Sequence, residues 1–498
     1  MKKLLTSSIV MYVALTGCTA MASPDSHDFG VKVEHLLNKQ SNRLFGIKKP
    51  LSTSATNADY VPREQANADQ RLLLAKGLKA RYVSRNMSFS GDMMTLWPNE
   101  KNYSHIIVCI EQRRANGGLN AGVQRINVQS GDVETILYGM NRCDGIRRTA
   151  WGTVLATEEA GDGRAYEIIQ PLVTTGQWIA DRTNGDIRDG INSATQSQAI
   201  VQRTALPTMA WEGHVILDNG IVIGGDELRP GSYADATGRK DTDGGSIFKF
   251  VPAVPYSGNG VISSLSESPL ISGHTYAMQV SCKENKQQTG QGCEIGNAAW
   301  VEVDPLNARV DANNSNATGY YRPEDMHRDP MYAGIGVKFC WTNTGREKTS
   351  SFGEVMCAVD SDPLLADSNI RSVVANRVFE GDTRFNSVDN LAFQPKTGNM
   401  YVVEDHKYGE IFACLPDGKD RDIKTDGCVG VLSVIDPLAE PTGFMFDASG
   451  KVAFIVIQHG EQPDALLDFK TNPVSGKTDD LIMITGFKVK GGEHDKDD

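Results

Sequence analysis

One grammar recurs along the chain: an acid, an apolar run, a turn, a second apolar run and a closing acid. Its clearest copy starts at Trp211-Glu212-Gly213, turns at Asn219-Gly220 and closes on Asp226-Glu227. An Asn-Gly pair between apolar runs is a strong local signal for a tight hairpin. The same order runs from Val388-Asp389-Asn390 to Glu404-Asp405, and from Glu440-Pro441-Thr442-Gly443 to Gln458-His459. A looser copy joins Arg322-Pro323-Glu324-Asp325 to Trp341-Thr342-Asn343. Two earlier starts, Gly91-Asp92-Met93 leading to Ile110-Glu111 and Thr149-Ala150-Trp151 leading to Glu158-Glu159, bring the number to six. Six strand-turn-strand units over about 400 residues predict an all-β fold, a six-bladed β-propeller with loop insertions. A β-sandwich is the alternative. The longest insertion is expected between about residues 229 and 320, and helical periodicity is confined to Glu64 through Lys79.

The phase of the acids carries the functional expectation. In a propeller the innermost strand of each blade faces the central channel, so an acid opening that strand and an acid closing its partner reach the same mouth. Glu111, Glu158, Glu159, Glu212, Asp226, Glu324, Asp389, Asp405 and Glu440 would converge there. Such a ring is strongly self-repulsive unless cations neutralise it, and carboxylate oxygens select hard ions, chiefly Ca²⁺. His459 closes the last unit and is read as a hydrogen-bonded structural residue.

Charge narrows the partners. The chain carries 50 Lys+Arg against 62 Asp+Glu, a net charge of -12, with no basic run in its body to follow a phosphate backbone, so nucleic acid is excluded as a partner. No G-x-S-x-G, H-E-x-x-H or P-loop is present, which removes serine hydrolases, zincins and NTPases.

The N-terminus reads as an address. Lys2 and Lys3 precede an apolar run to Leu15, followed by Thr16-Gly17-Cys18, which predicts a lipoprotein signal over residues 1–17 with lipid on Cys18. Cleavage after Ala20-Met21-Ala22 is the alternative. Thr19 favours the outer membrane as the destination, and the mature protein is expected in the bacterial envelope as a monomer. Residues 18–80 are expected as a tether or extension, 81–490 as the propeller and 491–498 as an acidic tail. The eight remaining cysteines are an even set in an exported chain, predicting neighbouring disulfides 109–143, 282–293, 340–357 and 414–428.

The tract Thr149 to Glu159, with Gly225-Asp226-Glu227, Ile247 to Val251, Arg322-Pro323-Glu324-Asp325, Asp389-Asn390-Leu391-Ala392-Phe393, Glu440-Pro441-Thr442-Gly443 and Ile457-Gln458-His459, resembles PhoX-type alkaline phosphatases over about residues 85 to 465. The resemblance implies a six-bladed propeller that hydrolyses small phosphomonoesters with calcium and iron clustered at the channel mouth. It implies Glu158, Glu159, Glu212 and Glu324 as metal ligands, with Glu111, Asp389, Asp405 and Glu440 beside them, and Arg322 as the catalytic clamp on the phosphoryl oxygens. The family's iron-ligating Cys is replaced by Thr157, which leaves Ca²⁺ the expected ion and iron doubtful. A calcium-dependent lactonase-like hydrolase and a non-catalytic calcium-binding propeller lipoprotein are the rival readings.

Overall fold

The computed structural model describes residues 29–232, 243–258, 260–281, 294–415 and 427–489. The signal and Cys18, the Cys282–Cys293 pairing and the acidic tail lie outside these residues.

Six mainly antiparallel blades stand around a common axis. Their innermost strands are Gly91–Trp97, Cys143–Arg148, Trp211–Ile216, Pro323–Arg328, Val388–Phe393 and Glu440–Phe446, opening blades 1 to 6. Each touches the next in order, and the strand of blade 6 touches that of blade 1, so the ring is closed. The chain is therefore an all-β six-bladed propeller. Blades 3 and 4 are also joined at their outer edge, where Gly296–Val303 pairs with Val373–Glu380.

The strand sequences show why this packing wins over a sandwich. His105–Ile110 of blade 1 is apolar on both faces: Ile106, Val108 and Ile110 pack with blade 6, while Ile107 and Cys109 pack with blade 2. A sheet with one wet face would alternate apolar and polar residues, whereas a blade buries both faces. The described core accordingly divides into six clusters, one per interface between neighbouring blades.

The segment before residue 80 belongs to this body. Leu72–Leu74 forms the outermost strand of blade 5, and Lys79–Ser88 pairs with Thr478–Thr485 as the outermost strand of blade 6. The N-terminal strand thus completes the last blade and locks the ring. Arg63 and Arg71 are buried against Asp480, at 2.9 and 3.2 Å. Between Glu64 and Lys79 the apolar periodicity resolves into a single 3-10 turn, Ala68–Gln70, and the short strand; the helix of this region is Phe29–Leu44. Blade 2 opens earlier than its repeat suggested. Thr149 to Gly152 is the hairpin turn, and Cys143–Arg148 is the inner strand.

Disulfides join Cys109 to Cys143, Cys340 to Cys357 and Cys414 to Cys428. The last two cross directly paired strands within blades 4 and 5. The first ties blade 1 to blade 2 just below the channel mouth.

Candidate metal centre at the channel mouth

Two tiers of side chains meet at one end of the channel, and the strands dictate both. In blades 1 to 5 the ladder between the first two strands breaks just after the first pair, at Gly91, Cys143, Trp211, Pro323 and Val388. Such β-bulges re-aim a side chain beside a functional site. The residue after each of these positions is an acid: Asp92, Asp144, Glu212, Glu324 and Asp389. In blade 6 the break follows Thr442, and the corresponding residue is Gly443, at φ 59°. A Cβ there would collide with the Asp92 carbonyl.

The outer tier is Glu111, Glu159, Glu227, Thr344 and Asp405. Each donates its backbone N–H to the residue preceding the inner strand of its blade, respectively Ser90 (2.7 Å), Arg142 (2.8 Å), Ala210 (2.9 Å), Arg322 (3.1 Å) and Ser387 (2.8 Å). Blade 6 supplies Glu440 and its ladder partner Gln458. All of these acids line one cavity of about 610 Å³.

Among the described residues ten carboxylates and five arginines line that cavity, so the acids outnumber the cations twofold. Burial is the main cause that raises the carboxyl pKa values of Asp92, Glu111, Asp144, Glu159, Glu212, Glu324, Asp389 and Glu440. Glu111 is pushed up to about 7, with Asp92 adding to the effect. Asp144, Glu212 and Asp389 lie well above the ordinary range, because burial is reinforced by neighbouring carboxylates. Without cations the cluster holds protons; with them it can ionise. The oxygen-only donor set suits hard divalent ions. Asp144, Glu159 and Glu212 form one trio and Glu212, Glu324 and Asp389 another, the ligand atoms of each lying within 4.8 Å of one another. Among the described residues Asp144 Oδ1 is buried without a hydrogen-bond partner, as an atom reserved for a ligand would be.

Arg142 and Arg322 enter from between blades. Arg142 pairs with Glu159 and, at 3.4 Å, with Glu111. Arg322 pairs with Glu227 at 2.5 Å and Glu324 at 3.1 Å. Burial disfavours the Arg322 charge, but the two carboxylates outweigh it and raise its pKa.

Of the residues nominated from sequence, Glu111, Glu159, Glu212, Arg322, Glu324, Asp389, Asp405 and Glu440 converge on this cavity. Glu158 does not. It is the ladder partner of Cys143, and strand alternation sends its carboxylate into the blade, opposite to Glu159. There it is fully buried and accepts from Arg182 Nη2 at 2.8 Å, Asn141 N at 2.7 Å and Arg164 N at 3.1 Å. Asp226 is turned away for the same reason and pairs with Arg309 at 2.7 Å. Asp92, Asp144, Glu227 and Arg142 escaped nomination. Asp144 carries the same signal, an acid one residue into an inner strand, but the repeat opens this unit at Thr149, after it.

Beneath the tiers, Thr157 Oγ1 is fully buried and donates to the Gly145 carbonyl at 3.0 Å. His214 is buried, its two ring nitrogens unpartnered among the described residues, and burial pulls its pKa down to about 3. His459 is held by Glu440 at 2.9 Å and Ser90 at 3.1 Å.

No protein-family model matches the sequence, and neither does any curated protein. Among solved structures the chain resembles Pseudomonas fluorescens PhoX in complex with vanadate, a transition state analogue, at 15% identity and a TM-score of 0.55, over 88% of this chain and 98% of that one. It also matches a gluconolactonase from Xanthomonas campestris at 10% identity and a TM-score of 0.39, over 88% and 97% of the two chains. At these identities the likeness is one of fold.

Proposed function

We propose that the chain is a metal-dependent phosphoester hydrolase of the bacterial envelope, a divergent relative of PhoX, acting on small phosphorylated substrates. The observation that carries this reading is the pairing of two carboxylate trios sharing Glu212 with two arginines on the same cavity. Phosphoryl transfer needs positive charge around the equatorial oxygens of the transferred group. Asp144, Glu159, Glu212, Glu324 and Asp389 would hold calcium; bound there, it would neutralise the phosphoryl oxygens and lower the pKa of a bound water.

The chain's own residues supply the remainder. Arg322, fixed by Glu227 and Glu324, presents a planar donor fork to phosphoryl oxygens, and Arg142, fixed by Glu111 and Glu159, does the same from the boundary between blades 1 and 2. Asp405 and Glu440 close the opposite side. Thr157, engaged with Gly145, offers no soft ligand, which favours calcium over iron. The disulfides suit an exported protein, lipid-anchored through Cys18 to the outer membrane and monomeric.

The test is elemental analysis of purified protein beside hydrolysis of 4-nitrophenyl phosphate and of a lactone, with calcium and with chelator. Calcium-dependent phosphatase activity that falls at least a hundredfold in Glu212→Gln supports the reading. Turnover of the lactone alone, or phosphatase activity indifferent to chelation and to Glu212→Gln, refutes it.

A further inference from the structure

The five cavity arginines are not equivalent. Arg142, Arg309 and Arg322 are each tied to carboxylates. Arg113 and Arg229 line the same cavity, are exposed, and have guanidinium groups without a hydrogen-bond or ion-pair partner among the described residues. Their placement repeats. Arg113 stands two residues beyond Glu111 in blade 1, and Arg229 two residues beyond Glu227 in blade 3.

In each case the intervening residue accepts a backbone N–H from the arginine that opens the next blade: Gln112 from Arg142 at 2.9 Å, and Leu228 from Arg322 at 3.2 Å. Those two arginines both have positive φ, 59° and 60°, and both pair with the acid of the same module, Glu111 or Glu227. The module therefore contains one guanidinium held down among the carboxylates and one left outside them. Blade 2, between the two modules, has Glu159-Ala160-Gly161 at this phase. Gly161 carries no side chain at the position of the outer arginines, and Arg309, held by Asp226, lies beside it.

A cavity of about 610 Å³ is the size of a whole small-ligand site rather than of one phosphoryl group. An unpaired guanidinium facing such a space is a recognition group for an anion.

We infer that Arg113 and Arg229 select phosphoesters whose leaving group carries a second anionic group, a phosphate or a carboxylate, held outward of the carboxylate tiers. This rests on the phosphoester reading of the same site. It adds to that reading a substrate class, polyanionic phosphomonoesters, and two specificity residues.

The experiment compares kcat/KM for fructose 1,6-bisphosphate and 3-phosphoglycerate with that for 4-nitrophenyl phosphate, whose leaving group lacks a second anion. Wild type should favour one of the two anionic substrates, and which one it favours separates phosphate from carboxylate recognition. The Arg113→Gln/Arg229→Gln variant should reduce that preference roughly tenfold, the scale of two exposed charge-assisted contacts. Calorimetry on calcium-loaded protein reads the same arginines without turnover. Methylenediphosphonate or phosphonoacetate should bind more tightly than methylphosphonate, and the double variant should lose the difference. A preference absent from wild type, or unchanged in the variant, overturns the inference. Absence of any turnover overturns the phosphoester reading instead, and the calorimetry then decides alone whether these arginines bind a second anion.

Discussion

Replacing Glu111 by Gln should stabilise the metal-free protein at alkaline pH while weakening its response to calcium. Burial and the nearby Asp92 carboxylate raise the Glu111 pKa from 4.5 to about 7 in the fold. The folded protein therefore keeps this proton to a higher pH than the unfolded chain does. No penalty exists below about pH 4.5; it grows as the pH rises and is complete above about pH 7. At 1.36 kcal/mol per pH unit the displacement corresponds to ~3.4 kcal/mol, and relaxation of the site reduces this to about 2–3 kcal/mol. Screening takes little from it, because the side chain is only 15% exposed. Glutamine keeps an acceptor for Gln458 Nε2, and Arg142 keeps Glu159. Thermal unfolding in chelator at about pH 5 and about pH 8 isolates the effect. The variant should lie close to wild type at the lower pH, where only a small part of the penalty is present, melt a few degrees above it at the higher one, and gain less on adding millimolar calcium. A metal-free variant less stable than wild type at about pH 8 would refute the electrostatic account of the cavity.

Glu212 belongs to both trios, so Glu212→Gln should lower the bound calcium measured by elemental analysis more than Asp144→Asn, which touches one trio. Glu158→Gln should leave calcium stoichiometry unchanged yet lower stability by about 2 kcal/mol in denaturant titration, since it breaks a buried pair with Arg182. Lys249 Nζ lies 2.8 Å from Asp360, both fully buried, with Trp300 Nε1 also donating to that carboxylate at 2.9 Å. Lys249→Met should cost about 3–5 kcal/mol by leaving Asp360 uncompensated, seen as a lower unfolding midpoint with calcium binding retained. Gly145→Ala should impair both stability and calcium binding, because an added Cβ would collide with the Glu212 carbonyl and displace the residue common to both trios.

The blade count and the convergence of acids were legible because a repeat forces equal phase: once Glu212 and Asp389 open equivalent strands, they must share a mouth. What the repeat could not give was phase to a single residue. Glu158 and Glu159 are adjacent acids of identical chemistry, yet one lies in the ladder opposite Cys143 and the other lies beyond it. Which carboxylate faces the channel depends on where pairing ends, and hairpin register is fixed by the turn and the bulge rather than by composition. Asp144 was hidden by a related ambiguity. The tract Thr149-Ala150-Trp151-Gly152 looks like a strand start, but it forms the turn, with Thr149 N and Oγ1 both hydrogen-bonding the Thr153 carbonyl. Outer strands drawn from distant sequence were equally illegible, since Lys79–Ser88 meets Thr478–Thr485 only when the ring closes.

The deviations from sixfold order are where chemistry can enter. A ring with a carboxylate at every inner and outer position would be a uniform sink for cations, with no direction for a substrate to approach. Here Gly443 removes the inner acid of blade 6, Thr344 replaces the outer acid of blade 4, and Thr344 donates its hydroxyl to Glu324. The two trios draw on blades 2 to 5. Arginines occupy the boundaries between blades 1 and 2 and between blades 3 and 4, placing positive charge on either side of the trio that Asp144, Glu159 and Glu212 form. Repetition delivers the carboxylates to one place, and the broken positions give the cavity the polarity that an anionic substrate would need.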